Sequence, residues 1–369
     1  MTRSAMSSVD RDRIARARAE ASVQGLGALV VPPSPDLAYL AGYEPMPLER
    51  PTLLVLRPDD DPVLLVPVLE EPLARASIDA DVGFVPWSDG DDPYEAAARL
   101  LPRGGRVAVG DRLWGVHLLG LQRAAPGVSF VSASGVLGRL RAVKDEDELA
   151  ALRRAARGAD ETFRRVCEMP FVGRREEEIA ADLAALLVDH GHERADFTIV
   201  ASGPNGASPH HEPGGRTILP RDAVVLDFGG ELGGYFSDTS RTVVVEDEPE
   251  GFRAVYDVVR AAQDAAIARV APGVEIQAVD RAARAVIETA GYGERFLHRT
   301  GHGIGREVHE PPYAVEGDET PLEPGMTFSV EPGVYLEGRF GVRIEDIVAV
   351  TDTGVERLNR STRDVQVVG

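Results

Sequence analysis

Lysine is almost absent from this 369-residue chain: Lys144 stands alone against 39 arginines. Imine chemistry on a lysine amine, with or without pyridoxal phosphate, would fall to that one residue. It sits in VKDEDELAAL, which reads as the exposed start of a helix, so covalent lysine catalysis is not expected. Cysteine is as scarce. Cys167 is the sole thiol, so no intramolecular disulfide forms, and its helix-like surroundings suit a buried small residue better than a nucleophile. No run of 18 apolar residues occurs and nothing resembles a secretory leader, so the cytoplasm is the expected location and the membrane is not a partner. Positive charge is short too, with 40 Lys and Arg against 60 Asp and Glu and a net charge of -20. With no basic stripe to meet phosphate backbones, nucleic acid is excluded as a partner. The first half carries no GxGxxG or GxxxxGK[ST] pattern, and GxSxG is missing, so neither a nucleotide site nor a serine nucleophile is signalled.

What is present is material for a core. Hydrophobic residues make up 43% of the chain, and at roughly 100–200 residues per domain the length predicts two domains. Residues 1–138 read as a compact α/β domain. A surface helix over 10–24 precedes a short buried strand, ALVVPP, at 28–33. TLLVLRPDDDPVLLVP at 52–67 sets two apolar runs around a charged turn, the pattern of a hairpin. Strands are predicted again at 82–87 and 106–110, with helices at 94–101 and 114–125. His117, the one histidine of this half, has no acid or base pattern near it and reads as structural.

Residues 139–369 follow another rhythm. A long amphipathic helix is predicted through LGRLRAVKDEDELAALRRAARGADETFRRV, and a second over about 175–190. FTIVASG and AVVLDFGGELGGYFSDTSRTVVV read as strands. Two further helices, roughly 251–270 and 275–290, are split by the breaker Pro272–Gly273. MTFSVEPGVYL and GVRIEDIVAVT close the chain as strands. Helix, helix, strands thus occurs twice, a duplication in order rather than in sequence. Two such halves facing each other would enclose a cleft.

Seven of the eight histidines fall between 190 and 309, and His298, His302 and His309 share FLHRTGHGIGREVHEPP. Four acids lie in or beside apolar strands, where an uncompensated charge is costly. They are Asp227 in VVLDFGG, Asp238 in YFSDTSR, Glu331 in FSVEPGV and Glu345 in VRIEDIV. Each alone has an ordinary reading: a strand-end cap for Asp227, a turn for Asp238, a cap on Pro332–Gly333 for Glu331, and a pair with Arg343 for Glu345. Together, four carboxylates and the His302 imidazole form a hard ligand set for two divalent metal ions. Four negative charges balance two dications, and such ions stand about 3.5–4 Å apart and share bridging carboxylates. Oxygen-rich ligation suits Mn, with Co and Zn compatible.

These segments carry a family resemblance. LDFGG, SDTSRT, GHGIGREVHE, EPGVY and VRIEDI, in this order and spacing, resemble the metallopeptidases that share the pita-bread fold of methionine aminopeptidase, aminopeptidase P and prolidase. The resemblance spans about 140–369, and the preceding domain is similar to that of prolidase, aminopeptidase P and creatinase. It implies a smaller N-terminal α/β domain (1–138) ahead of a pita-bread α+β catalytic domain (139–369) with a pseudo-twofold duplication. It further implies that Asp227 and Asp238 bind one metal, with Asp238 bridging, and that His302 and Glu331 bind the other, with Glu345 bridging. His210, in ASGPNGASPHH, is implied at the reacting centre, while for its neighbour His211 a structural role is as good a reading. His309 is implied at the scissile amide, His298 nearer the substrate pocket, and Arg343 as a residue that fixes the site through a carboxylate. The implied reaction is hydrolysis of the Xaa-Pro bond at the N-terminus of a short peptide by a hydroxide shared between the metals, with Glu331 as proton shuttle.

Creatinase resembles this layout but lacks the metals, and a non-enzymatic module of this fold would have lost ligands; all five ligand residues are retained here. The full N-terminal domain favours the proline-specific members over methionine aminopeptidase. Some prolidases of this family carry an arginine four residues after the histidine matching His309, where it receives the dipeptide's carboxylate. Tyr313 stands there in this chain, and Arg306 or an arginine of the N-terminal domain is the expected replacement. The reading leans to Xaa-Pro dipeptidase, with aminopeptidase P acting on longer peptides as the alternative. A homodimer is expected from the resemblance alone.

Overall fold

The computed structural model describes residues 6–78 and 81–369. The chain divides into two compact units, one ending at Arg141 and the other running from Ala142 to Gly369. The first holds strands β1 (Ala28–Val31), β2 (Leu53–Leu56), β3 (Val63–Pro67), β4 (Gly83–Trp87), β5 (Gly105–Val109) and β6 (Val128–Ser132) in one mixed sheet of order β4-β3-β2-β1-β5-β6. The helices between and around them are α1 (Met6–Val23), α2 (Pro35–Ala41), α3 (Glu71–Ser77), α4 (Pro93–Ala98), α5 (Gly115–Ala124) and α6 (Ser134–Ala142).

Strands β1 and β2 are buried along their whole length because both faces are covered. Alternate residues go to opposite sides: Leu29 and Val31 pack with Ile14, Leu37 and Leu137, while Ala28 and Val30 pack with Ala97 and Leu121. The expected hairpin is present as the antiparallel pair β2–β3. His117 is structural, as expected. Its Nε2 donates to the Leu48 carbonyl at 3.2 Å, which leaves Nδ1 to accept from the Tyr94 hydroxyl at 3.0 Å.

The second unit begins with α7 (Glu146–Val166) and α8 (Glu176–Asp189), followed by β7 (Arg194–Ser202), β8 (Ala223–Leu232), β9 (Tyr235–Phe236) and β10 (Thr239–Val245). Helices α9 (Phe252–Arg269) and α10 (Gln277–Thr289) then lead into β11 (Gly301–Gly303), β12 (Glu310–Ala314), β13 (Thr327–Val330), β14 (Gly333–Leu336), β15 (Phe340–Arg343), β16 (Asp346–Thr351), β17 (Gly354–Arg357) and β18 (Val367–Val368). One sheet runs β18-β10-β8-β7 with β9 on β8; the other runs β12-β11-β13-β16-β17, and β14–β15 form a separate ribbon. Phe163 of α7 and Leu183 of α8 pack on Val224 and Leu226 of the first sheet. Val259 of α9 and Ile287 of α10 share a core with Phe328 and Val348 of the second. The duplicated order of the sequence is therefore a duplicated layering.

Two expectations fail. The run read as one long helix holds two, α6 and α7, broken between Ala142 and Glu146, and the second starts in VKDEDELAAL with acids in its first turn, as expected. Asp145 caps α7 by accepting from the Glu148 N–H at 2.9 Å, while Glu148 reaches back to the Asp145 N–H at 3.0 Å. Lys144, in that break, is buried rather than exposed: its ammonium lies 2.7 Å from Glu310, and its N–H donates to the Gly325 carbonyl at 3.0 Å. The second concerns the two closing strands. MTFSVEPGVYL and GVRIEDIVAVT are each broken in two, at Glu331–Pro332 and at Ile344–Glu345.

Candidate metal centre

Those breaks place acids where a continuous strand would not. Glu331 stands at the corner after β13, with its N–H bonded to the Thr300 carbonyl at 2.8 Å, and Glu345 stands before β16, with its N–H bonded to Ser240 at 3.0 Å. Asp238 occupies the turn into β10, Asp227 the middle of β8 and His302 the middle of β11. Glycine flanks His302 for a steric reason: a methyl at Gly301 would run into the Ser329 carbonyl, and one at Gly303 would meet the carbonyls of Glu310 and Pro311. The short strand can thus lie close against both neighbours.

All five side chains open on one cavity of about 390 Å³. Ligand atoms of Asp227, Asp238 and Glu345 lie within 4.8 Å of one another, as do those of His302, Glu331 and Glu345, and those of Asp238, His302 and His309. Asp238, His302 and Glu345 each belong to two of these groups. His309 joining them was not foreseen in the sequence. Its ring meets that of His302 edge-on, with centroids 4.0 Å apart, and it remains exposed at the cavity.

The polar atoms of this cavity face one another in a way that hydrogen bonding alone does not satisfy. His302 donates from Nδ1 to the Gly303 carbonyl at 3.1 Å, and burial, with His309 beside it, depresses its pKa to about 3. Its Nε2 is therefore a lone pair, yet it points at carboxylate oxygens of Asp238 and Glu331, each 3.5 Å away. Oε1 of Glu345 is buried without a hydrogen-bond partner among the described residues. Burial, then the surrounding carboxylates, raises Asp238 and Glu345 well above the usual range; burial pushes Glu331 up to about 8 against the pull of Arg343. Acceptors converging on acceptors fit a cation between them, and the backbone carbonyl that orients His302 is the usual partner of a ligating imidazole.

Arg343 is buried at the back of the site. It lies 2.5 Å from Asp227, so the anticipated pair with Glu345 is replaced by one with Asp227. Its Nη1 donates to the Tyr335 hydroxyl at 2.9 Å, and that hydroxyl donates to Nε2 of His298 at 2.7 Å. His298 Nδ1 bonds the Arg299 carbonyl at 2.8 Å, and burial holds its pKa near about 4, so it stays neutral. Tyr335 was not anticipated; EPGVY contains it, but nothing local says that its hydroxyl joins Arg343 to His298.

His210 lines the cavity mouth and is exposed. His211 turns away and bonds the buried Glu176 at 2.8 Å, which fits its structural reading. Arg306 lies over the Tyr235 ring, 5.5 Å from its centroid, and does not line the cavity. Arg299, Phe197 and Ile199 do line it, and no sequence signal marked them. Burial pushes the Cys167 thiol up to about 12, which keeps it an inert thiol.

A duplicated helix-pair-and-sheet unit around a carboxylate-rich, histidine-bearing cleft, preceded by a mixed α/β domain, defines the class of metal-dependent hydrolases. Residues 150–352 match the model of metallopeptidase family M24, and residues 13–143 match the creatinase/prolidase N-terminal domain. The chain belongs to metallopeptidase family M24. It is 44% identical over 362 residues to a protein named probable dipeptidase PepE from Mycobacterium tuberculosis, covering 96% of each chain. It is 36% identical over 342 residues to the Xaa-Pro dipeptidase of Lactobacillus helveticus, covering 90% of this chain and 92% of that one. The crystal structure of dipeptidase PepE from Mycobacterium ulcerans superposes with a TM-score of 0.93 at 42% identity, covering 98% of each chain. The expected two-domain fold and peptidase class are both borne out.

Proposed function

We propose that this chain hydrolyses the Xaa-Pro bond of dipeptides, with two divalent cations held by Asp227, Asp238, His302, Glu331 and Glu345. The observation that carries the reading is the convergence of unshared acceptors: the His302 lone pair facing Asp238 and Glu331 at 3.5 Å, and the orphan oxygen of Glu345. The names of the relatives supply the substrate class. A bound cation pair supplies a water acidified to near-neutral pKa and polarises the scissile carbonyl.

The chain's own residues do the rest. Glu331 takes the proton of the attacking water on its carboxylate and returns it to the leaving proline nitrogen. His309 and His210 line the opening and meet the carbonyl oxygen as it gains charge. Tyr335 and Arg343 hold His298 neutral and fixed against the substrate pocket. Proline in second position offers no amide hydrogen, so the pocket needs no acceptor for one. Mn is the first choice of cation on oxygen-rich ligation, ahead of Co and Zn. A homodimer, which rests on the family resemblance, and a cytoplasmic location belong to the same proposal.

The test strips the protein with chelator and adds back Mn, Co or Zn with Ala-Pro, Gly-Pro and the tripeptide Ala-Pro-Ala. Metal-dependent cleavage of the dipeptides is expected. No metal-dependent cleavage of any of them overturns the peptidase reading, and a strong preference for the tripeptide moves the enzyme to the aminopeptidase P alternative.

A further inference from the structure

A dipeptide differs from every longer substrate in one respect: a free carboxylate follows its second residue directly. The cavity that must receive it is lined by carboxylates, namely Asp196, Asp227, Asp238, Glu331 and Glu345. Four of these acids are the proposed metal ligands and are balanced by two bound dications, so a free substrate carboxylate is singled out only by a cationic side chain that is not already paired. Two arginines line the cavity, Arg343 and Arg299. Arg343 is committed to Asp227, Ser240 and Tyr335.

Arg299 is not committed. It is half-buried, and among the described residues its guanidinium makes no hydrogen bond and no ion pair. It lies over Tyr313, whose ring centroid is 4.3 Å from the guanidinium carbon. Tyr313 pairs with His302 across β11–β12, so this shelf is built on the strand beside the metal-facing histidine. A guanidinium resting on a ring spends its face, while its five N–H donors lie in its plane and stay available at the edge. Such an edge forms two parallel bonds to a carboxylate. The positive charge of Arg299 is also felt at His302, His309 and Glu331, which puts it on that side of the cavity.

We propose that Arg299, seated on the ring of Tyr313, receives the C-terminal carboxylate of the dipeptide and sets the preference for dipeptides over longer chains. Tyr313, which stands where some prolidases have an arginine, then serves as the platform for that cation. The inference rests on the Xaa-Pro reading for its substrate and on the unengaged guanidinium for its site.

The full metal-loaded chain is tested with Ala-Pro and with Ala-Pro amide, which keeps the scissile bond and loses the terminal charge. Wild type is expected to favour the free acid, mainly in KM. Arg299→Met is expected to raise KM for Ala-Pro about 10- to 100-fold, the worth of a charge-assisted pair, with kcat changed less and the amide unaffected. Arg299→Lys should recover part of the loss, and Arg299→Gln replaces the Met variant if that fails to fold. Calorimetric binding of proline and prolinamide reads the same discrimination without turnover. Equal binding of acid and amide by wild type, or a preference that survives loss of the guanidinium, overturns the assignment. A wild type that cleaves no Xaa-Pro substrate sinks the peptidase reading instead, and the proline–prolinamide comparison still decides the role of Arg299.

Discussion

The guanidinium of Arg343 sits 2.5 Å from a carboxylate oxygen of Asp227, and its Nε donates at 2.9 Å to Ser240, whose hydroxyl donates at 2.9 Å to Glu345. One arginine thus orients two cleft carboxylates, one in β8 and one at the corner before β16. Its fork geometry allows this, and an ammonium could not reproduce it. Arg343→Met and Arg343→Lys are both expected to cost about 10- to 100-fold in metal affinity or kcat/KM, the usual penalty for losing a residue that orients ligands. Metal titration beside steady-state kinetics checks this; a lysine variant with full affinity and activity would show that the fork is dispensable.

Glu345 supports a less intuitive expectation. In chelator-stripped protein its buried carboxylate, with an oxygen that has no hydrogen-bond partner among the described residues, faces Asp238, Glu331 and Asp227. Glu345→Gln should therefore leave the stripped protein as stable as wild type, or more so, because a buried repulsion is relieved. The same variant should lose the rise in Tm that added Mn gives wild type, and at least about 10³-fold in activity, since several kcal/mol of charge stabilisation go with the ions. Asp238→Asn should lose activity and metal pairing in the same way. Thermal unfolding with and without metal, together with metal content per chain, separates these outcomes.

The single lysine yields a stability prediction. Lys144 reaches Glu310 at 2.7 Å with both side chains almost fully buried, and among the described residues the only other hydrogen bond of its ammonium is to the Ala142 carbonyl at 3.4 Å. Removing the acid strands a buried ammonium, so Glu310→Gln is expected to cost about 3–5 kcal/mol. Urea unfolding of the metal-loaded protein measures it, and a loss below about 1 kcal/mol would mean that water reaches the ammonium.

Lys144 also marks where sequence reading stops. A run of K-D-E-D-E looks solvated, and its local pattern says nothing of a carboxylate 166 residues away. The cleft acids were legible for the opposite reason: a charge inside an apolar strand has few physical excuses. Even so, the apolar runs around Glu331 and Glu345 read as unbroken strands. The kinks that turn those two acids into the cavity come from tertiary pairing, β13 with β16 and β14 with β15. Tyr335 and Arg299 were silent for a similar reason, since their roles rest on partners that only folding supplies.

His192 gives a pH dependence of defined sign. It is buried, with Nδ1 3.2 Å from the Leu187 carbonyl and Nε2 2.8 Å from the Ser237 hydroxyl. The carbonyl requires a proton on Nδ1, so Nε2 accepts from Ser237 and the ring is neutral. Burial lowers its pKa below the ordinary 6.5, only partly offset by the Leu187 carbonyl. In the unfolded chain the same ring titrates near about 6.5. Below that pH the unfolded state holds more protons than the folded one, so stability falls as the pH drops from about 6.5 toward the lower folded value, and His192 contributes no slope above it. His192→Asn removes the titrating group at a cost of about 1–3 kcal/mol at pH 7, from a hydrogen bond left unmade. Denaturation in chelator at pH 7.5, 6 and 5 should then show a steeper acid-side loss for wild type than for the variant. Every other titrating group is common to both proteins, so parallel curves would mean that the ring takes up its proton in the folded state as readily as in the unfolded chain.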